Sequence, residues 1–234
     1  MPARLFYVFT LLLAFHHAQC QLNQDSLENV FGIWYDSTVG TETNQLMYNA
    51  IYVTALRGTT THQYFDQRVW QKGNVNVMGE GYGNVPMLFD IELEQLVIRH
   101  PDDYRFDGIA INMEILDSFD FGGHQFRKFV FSNGSGFFEV LFDGSNLLLL
   151  AKRKKRSTSQ KGGVELEATT SYYLVNEDRL VPLKGLKTIK NLYPANIKDI
   201  QQVKKVDKKK FRINKESSIV QFVQYLDAKM EKSQ

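Results

Sequence analysis

Between Met47 and Leu183 the chain is a run of short segments rich in Val, Ile, Phe and Tyr, set so closely that no crossover helix fits between them. MYNAIYVTAL (47–56), THQYFDQRVW (61–70), GNVNVMGEGYGNVPMLFDIE (73–92), EQLVIRH (94–100), DGIAINMEILDSF (107–119), GHQFRKFVF (123–131), GFFEVLF (136–142) and LLLLAKRK (147–154) are each bounded by Gly, Asp, Asn or Pro and read as strands. Parallel neighbours would need a dozen or more connecting residues. The pattern therefore predicts a mainly β fold with an antiparallel sheet, built as a sandwich or a partly closed barrel.

The joints carry turn chemistry. Asp143-Gly144-Ser145-Asn146 separates Phe142 from Leu147, and Ser132-Asn133-Gly134-Ser135 joins the two strands before it. TTSYYLV and RLVPL form a third pair across Asn176-Glu177-Asp178. Within DGIAINMEIL, Ile109, Ile111, Met113 and Ile115 alternate with Ala110, Asn112 and Glu114, which predicts one buried face. The unbroken Leu147 to Leu150 run predicts a strand covered on both sides, or one at the centre of a closed sheet.

The period changes after Pro182. Leu183, Leu186, Ile189 and Leu192 recur at helical steps before Pro194. Asn196 can cap a second helix carrying Ile197, Ile200, Val203 and Val206, and a final helix from about Asn214 presents Ile219, Phe222, Val223, Leu226 and Met230. Two or three short C-terminal helices are thus expected to lie on the sheet, each burying an apolar stripe. The expected organisation is an export signal in residues 1–20, an antiparallel β domain in 21–183 and a basic helical segment in 184–234.

The export assignment rests on MPARLFYVFTLLLAFHHAQCQ, where Arg4 flanks a short apolar run from Leu5 to Phe15. About 20 apolar residues are needed to cross a bilayer, so this run reads as a cleaved signal, with cleavage placed after Cys20 and Ala18 or Gln19 as the alternative points. His17 stands where a lipoprotein signal has an aliphatic residue. Cys20 is the only cysteine, so the exported chain has no disulfide to form and must be held by a packed core. The predicted location is the periplasm or the exterior, at most peripheral to the outer membrane, with no membrane span after cleavage and no nucleic acid as partner.

Charge is divided along the chain. Residues 21–150 carry 7 Lys and Arg against 17 Asp and Glu, whereas residues 151–234 carry 20 against 9. Such a division either steers the protein to an oppositely charged surface or neutralises itself internally, and internal neutralisation needs fewer assumptions.

GNVPMLFDIELEQLVIRH, then FGGHQFRKF, GFFEVLFDGSNLLLLAKRKKR and SYYLVNEDRLVPLKGLKTIKNLYP resemble, over roughly residues 45–230, a broad group of uncharacterised exported β-rich proteins of Bacteroidota. The resemblance implies export and a bacterial envelope or secreted location. It brings no activity and no catalytic residue.

Signals of specific chemistry are weak. His62, His100 and His124 stand on separate segments, and Asp117 with Asp120 lacks calcium-loop spacing, so no metal and no cofactor is expected. Gly134-Ser135-Gly136 is not a nucleophile elbow, and GEGYG (79–83) lacks the Lys-Ser/Thr ending of a phosphate loop. Glu92 with Glu94, and Glu165 with Glu167, share strand faces and stand as acid/base candidates for a hydrolase. Trp34, Tyr35, Trp70, Tyr82 and Tyr104 lie near turns, where their rings are candidates for a ligand groove. Lys152, Arg153, Lys154, Lys155 and Arg156 are read as the solvated end of the leucine strand, secondarily as a contact for an anionic surface, with STSQKGG (157–163) as a flexible excursion. The leading expectation is an exported non-enzymatic accessory or binding protein of the bacterial envelope, contacting a protein, glycan or anionic surface. Its alternative is a periplasmic or secreted hydrolase with a dispersed acid/base site.

Overall fold

The computed structural model describes residues 46, 50–52, 61–99, 108–160, 163–194 and 215–231. The chain divides into a unit of residues 1–49 and a unit of residues 50–234. Of the first, only Leu46 is described. The predicted export signal, Trp34, Tyr35, His100, Tyr104 and the predicted helix from Asn196 lie outside the described residues.

The second unit is mainly β, and among the described residues every strand pairing is antiparallel. Eleven strands form one sheet: β1 (Ala50–Ile51), β2 (Gln71–Val77), β3 (Glu80–Asp90), β4 (Gln95–Ile98), β5 (Ile109–Ala110), β6 (Leu116–Phe121), β7 (His124–Phe131), β8 (Gly134–Asp143), β9 (Leu148–Gln160), β10 (Gly163–Asn176) and β11 (Arg179–Pro182). Their order is β1-β5-β4-β3-β2-β6-β7-β8-β9-β10-β11. Two meanders, β2 to β5 and β6 to β11, are joined where β2 pairs with β6. Met78-Gly79 and Gly122-Gly123 have positive φ at both positions, the backbone that two-residue hairpins require.

Three expectations are corrected. THQYFDQRVW is not a strand: only Tyr64 forms a bridge, to Asp90, and the segment crosses the sheet as a strap. GNVNVMGEGYGNVPMLFDIE is two strands folded at Met78-Gly79, and DGIAINMEILDSF is broken between β5 and β6. Asn112 breaks it. Its side chain accepts the Glu114 N–H at 2.9 Å and its carbonyl accepts the Ile115 N–H at 3.3 Å, a local turn that outcompetes the ladder despite apolar alternation.

The sheet is open in its pairing, and side chains pack on both of its faces. On one face, Phe119 stacks on Phe126 at 4.9 Å, and Phe89, Phe121, Phe137 and the strap's Phe65 surround them. Further along that face, helices α1 (Leu186–Leu192) and α2 (Lys215–Glu231) pack Ile189, Ile219, Phe222, Val223 and Leu226 against Leu147, Leu149 and Leu174. The other face holds a smaller core of Phe138, Leu150 and Leu180, with Phe129, Phe131 and Tyr173 packed on it. The β7–β8 turn closes this second core by reaching β11. There the Asn133 side chain accepts the Leu180 N–H and donates to the Leu180 carbonyl, each at 2.9 Å. Leucines of β9 thus enter two cores, as the unbroken run predicts. Among the described residues no helix is long and apolar enough to cross a membrane.

Asp227 of α2 anchors the turn between β8 and β9. Its carboxylate accepts the N–H groups of Ser145, Asn146 and Leu147 at 3.2, 2.8 and 2.8 Å. A side chain at Gly144 would stand 2.5 Å from the same carboxylate and from the Phe142 ring, so this close approach demands glycine.

Candidate functional site

β8 and β9 pair only from Asp143 and Leu148 as far as Glu139 and Ala151. Beyond that point β8 stays with β7 while β9 continues with β10, and the strands part as a fork. The parting exposes the β9 edge, which the β3–β4 turn fills: the Lys155 N–H donates to the Ile91 carbonyl at 3.1 Å. This contact joins the β3–β4 turn to β9. Asp90 shapes the turn, accepting the Glu92 and Leu93 N–H groups at 2.9 Å and the Tyr52 hydroxyl at 2.5 Å. Burial first, and then the Asp90 hydrogen bond, push the Tyr52 hydroxyl pKa far above its ordinary value.

The basic run lies in this fork, so the solvated-end reading is corrected: β9 runs on to Gln160, and STSQKGG is mostly strand. Lys152 bonds Glu94 and donates to the Phe137 carbonyl, which the departure of β9 leaves without a ladder partner. Lys154 reaches the other oxygen of Glu94 at 2.6 Å. Lys155 donates to the carbonyls of His62 at 2.7 Å and Tyr64 at 2.6 Å in the strap. Arg156 is exposed and lies opposite Glu167 in the β9–β10 register. Glu94 and Glu139 come from the acidic part of the chain, so the divided charge is spent on closing the fold.

Arg153 makes the densest contacts. Its Nε donates to Glu139 Oε2 at 2.5 Å, and its NH1 donates to Glu216 Oε2 at 2.7 Å and to Thr170 Oγ1 at 3.1 Å. Glu139, 4% exposed, gives its other oxygen to His124 Nδ1 at 2.6 Å. A carboxylate only accepts, so Nδ1 carries the proton of this contact. The Phe65 ring meets His124 edge-on at 4.9 Å and lies 5.8 Å from the Arg153 guanidinium. The Tyr172 hydroxyl donates to Glu216 at 3.0 Å, and burial followed by that bond pushes its pKa up to about 12. Burial opposes ionisation of Glu216, but Arg153 and Tyr172 together outweigh it and hold its carboxyl below the usual range.

The described aromatic candidates are not brought together. Trp70 packs on the core of Tyr52, Tyr64, Leu88 and Val97. Tyr82 lies opposite Val75, toward the other end of the β2–β3 hairpin, with its hydroxyl on Glu80 at 2.9 Å. Among the described residues no three His, Cys, Asp or Glu side chains converge on a cation-sized point. Asp120 binds the Asn74 amide and Asp117 accepts the Gly79 N–H. Sequence reasoning missed Glu139, Glu216 and Asp227 entirely. The alternation of GFFEVLF, which sets Glu139 on the face of Phe137, was the one signal that could have exposed a buried acid.

No protein-family model matches the chain, and no significant match appears among curated proteins or solved structures.

Proposed function

We propose that the protein is an exported, non-enzymatic accessory or binding protein of the bacterial envelope, engaging a protein or glycan partner. The fork between β8 and β9 carries this reading. A catalytic acid or base needs an atom free to meet substrate. Glu139 gives one oxygen to His124 and the other to Arg153, and Glu94 is divided between two lysines. These charges hold strands together. Export and envelope location rest on the N-terminal sequence and on the resemblance to exported proteins of Bacteroidota. The contact with an anionic surface narrows to Arg156, with Lys154 partly exposed beside it.

The hydrolase alternative has one observation in its favour, the half-exposed His124 oriented by a buried carboxylate. Mild cross-linking of the native protein followed by co-purification separates the two. A defined envelope partner, recovered equally with wild type and His124→Gln, is the expected result. Recovery of the chain alone, with a hydrolytic activity lost in His124→Gln, would replace the binding reading with the enzymatic one.

A further inference from the structure

β10 outlasts its neighbour β11. β9 pairs with it from Gly163 to Leu174, but β11 covers its other edge only from Tyr173 to Asn176. Just past β11 the Tyr172 carbonyl accepts the Leu183 N–H at 2.8 Å. Farther along the same edge, the Leu166 N–H donates to Thr61 Oγ1 at 2.9 Å. A strand residue turns its N–H and C=O to one side, and the side alternates along the chain. Leu166 and Tyr172 face away from β9, so Ala168 and Thr170 do as well. Among the described residues nothing bonds the outward N–H and C=O groups of these two. Glu167, Ala168, Thr169 and Ser171 are exposed and Thr170 is half-buried.

We infer that the β10 edge from Glu167 to Ser171 is a slot for a short extended peptide, which adds to the sheet as a strand. The inference rests on the binding-protein reading and names the partner class. Only another extended backbone offers donors and acceptors at the spacing that Ala168 and Thr170 present. The slot is closed at both ends, by Thr61 beside Leu166 and by Leu183 beside Tyr172. Five residues at about 3.4 Å each leave roughly 17 Å between the stops.

The stops choose among occupants. In the two-fold register that pairs the free residues of two copies, Ala168 of one lies opposite Thr170 of the other. The partner's strand would then run on past Leu166 and Tyr172, where Thr61 and Leu183 already sit. A long through-running strand meets the same obstruction. A strand this short also buries far less than the roughly 1,000 Å² of a persistent interface, so a transient peptide complex fits. Cross-strand pairing favours a cation opposite Glu167 and β-branched residues opposite Ala168 to Ser171.

The test uses a dye-labelled, end-capped pentapeptide, Thr-Val-Thr-Val-Lys, and the same peptide N-methylated at both valines. Fluorescence anisotropy with the full chain should show saturable binding of the first, weakened about tenfold or more by methylation, because two backbone donors are lost. Ala168→Pro removes an N–H that the β9 ladder does not use and should weaken binding to a similar degree. Should that variant fail to fold, hydrogen exchange on the wild type reads the same edge: the Ala168 and Thr170 amides should exchange fast alone and slow with peptide. Equal affinity for the two peptides, no saturable binding, or slow exchange at both amides before peptide is added would overturn the slot. An envelope partner captured by cross-linking despite such a result would leave the binding reading standing.

Discussion

Leu148–Leu150 and Lys152–Lys155 are consecutive stretches of β9, taken out of water by opposite means. The leucines meet apolar surface on both sheet faces, and Leu149 and Leu150 are fully buried. No one neighbour of theirs is irreplaceable, because dispersion and apolar burial are spread over many contacts. The basic stretch needs a named acceptor for each cation: Glu94 for Lys152 and Lys154, Glu139 and Glu216 for Arg153, strap carbonyls for Lys155. One half of the strand depends on shape and the other on pairing, so the same substitution has different consequences in each.

Leu149→Asp should cause the largest loss, more than about 4 kcal/mol, since it combines lost apolar burial with a carboxylate that has no partner. A urea midpoint near that of wild type would break the comparison at its apolar end. Arg153→Met should cost about 3–5 kcal/mol by leaving Glu139 facing a neutral neighbour. Arg153→Met combined with Glu139→Leu should recover most of that, whereas a double variant as unstable as the summed singles would show that packing, not pairing, holds the fork. Asp227→Ala should cost about 2–3 kcal/mol, because three backbone donors lose one acceptor. Faster amide exchange confined to Ser145, Asn146 and Leu147 would mark the loss.

Acid provides a gentler probe. The folded-state pKa values of Glu94 and Glu216 lie below their usual value of 4.5. Burial alone would raise both, and the Lys152, Lys154 and Arg153 contacts outweigh it. A depressed carboxylate contributes stability above its unfolded pKa and loses it as pH falls through the folded one. Urea midpoints should therefore fall below about pH 4.5, less steeply in Glu216→Gln. At the small end, Arg156→Ser should shift stability by no more than about 0.5 kcal/mol and envelope co-sedimentation by less than about threefold. Removing Arg153, Lys154, Lys155 and Arg156 together would unfold the fork and so could not test surface contact.

The sheet was legible in sequence because β-branched and aromatic segments with Gly or Asn at their joints leave few alternatives. The Ser132–Ser135 and Asp143–Asn146 turns marked hairpins, and Ile219, Phe222, Val223 and Leu226 marked α2 by their spacing. The fork was not legible. Lys152 and Glu94 are 58 residues apart, and Arg153 and Glu216 are 63 apart, so no local pattern joins them. A charge run looks solvated until the acids that meet it are known. The strap misled for a related reason: Tyr64, Phe65 and Trp70 have strand composition, yet the Tyr64 carbonyl takes Lys155, the Phe65 ring lies over Arg153 and Trp70 packs on Tyr52 and Tyr64.

The contact of the Lys155 N–H with Ile91 also sets an order of events. The β2–β3, β3–β4, β6–β7 and β7–β8 hairpins close between near neighbours and can form early. Closure on β9 joins residues 64 apart, and the Thr61 contact with Leu166 joins residues 105 apart. Until β9 docks, the acidic part of the chain carries Glu94 and Glu139 without their β9 cations and a β3–β4 turn with no edge to dock on. The partly folded chain is therefore an electrostatically unfinished meander, whose closure waits on the four basic residues Lys152 to Lys155.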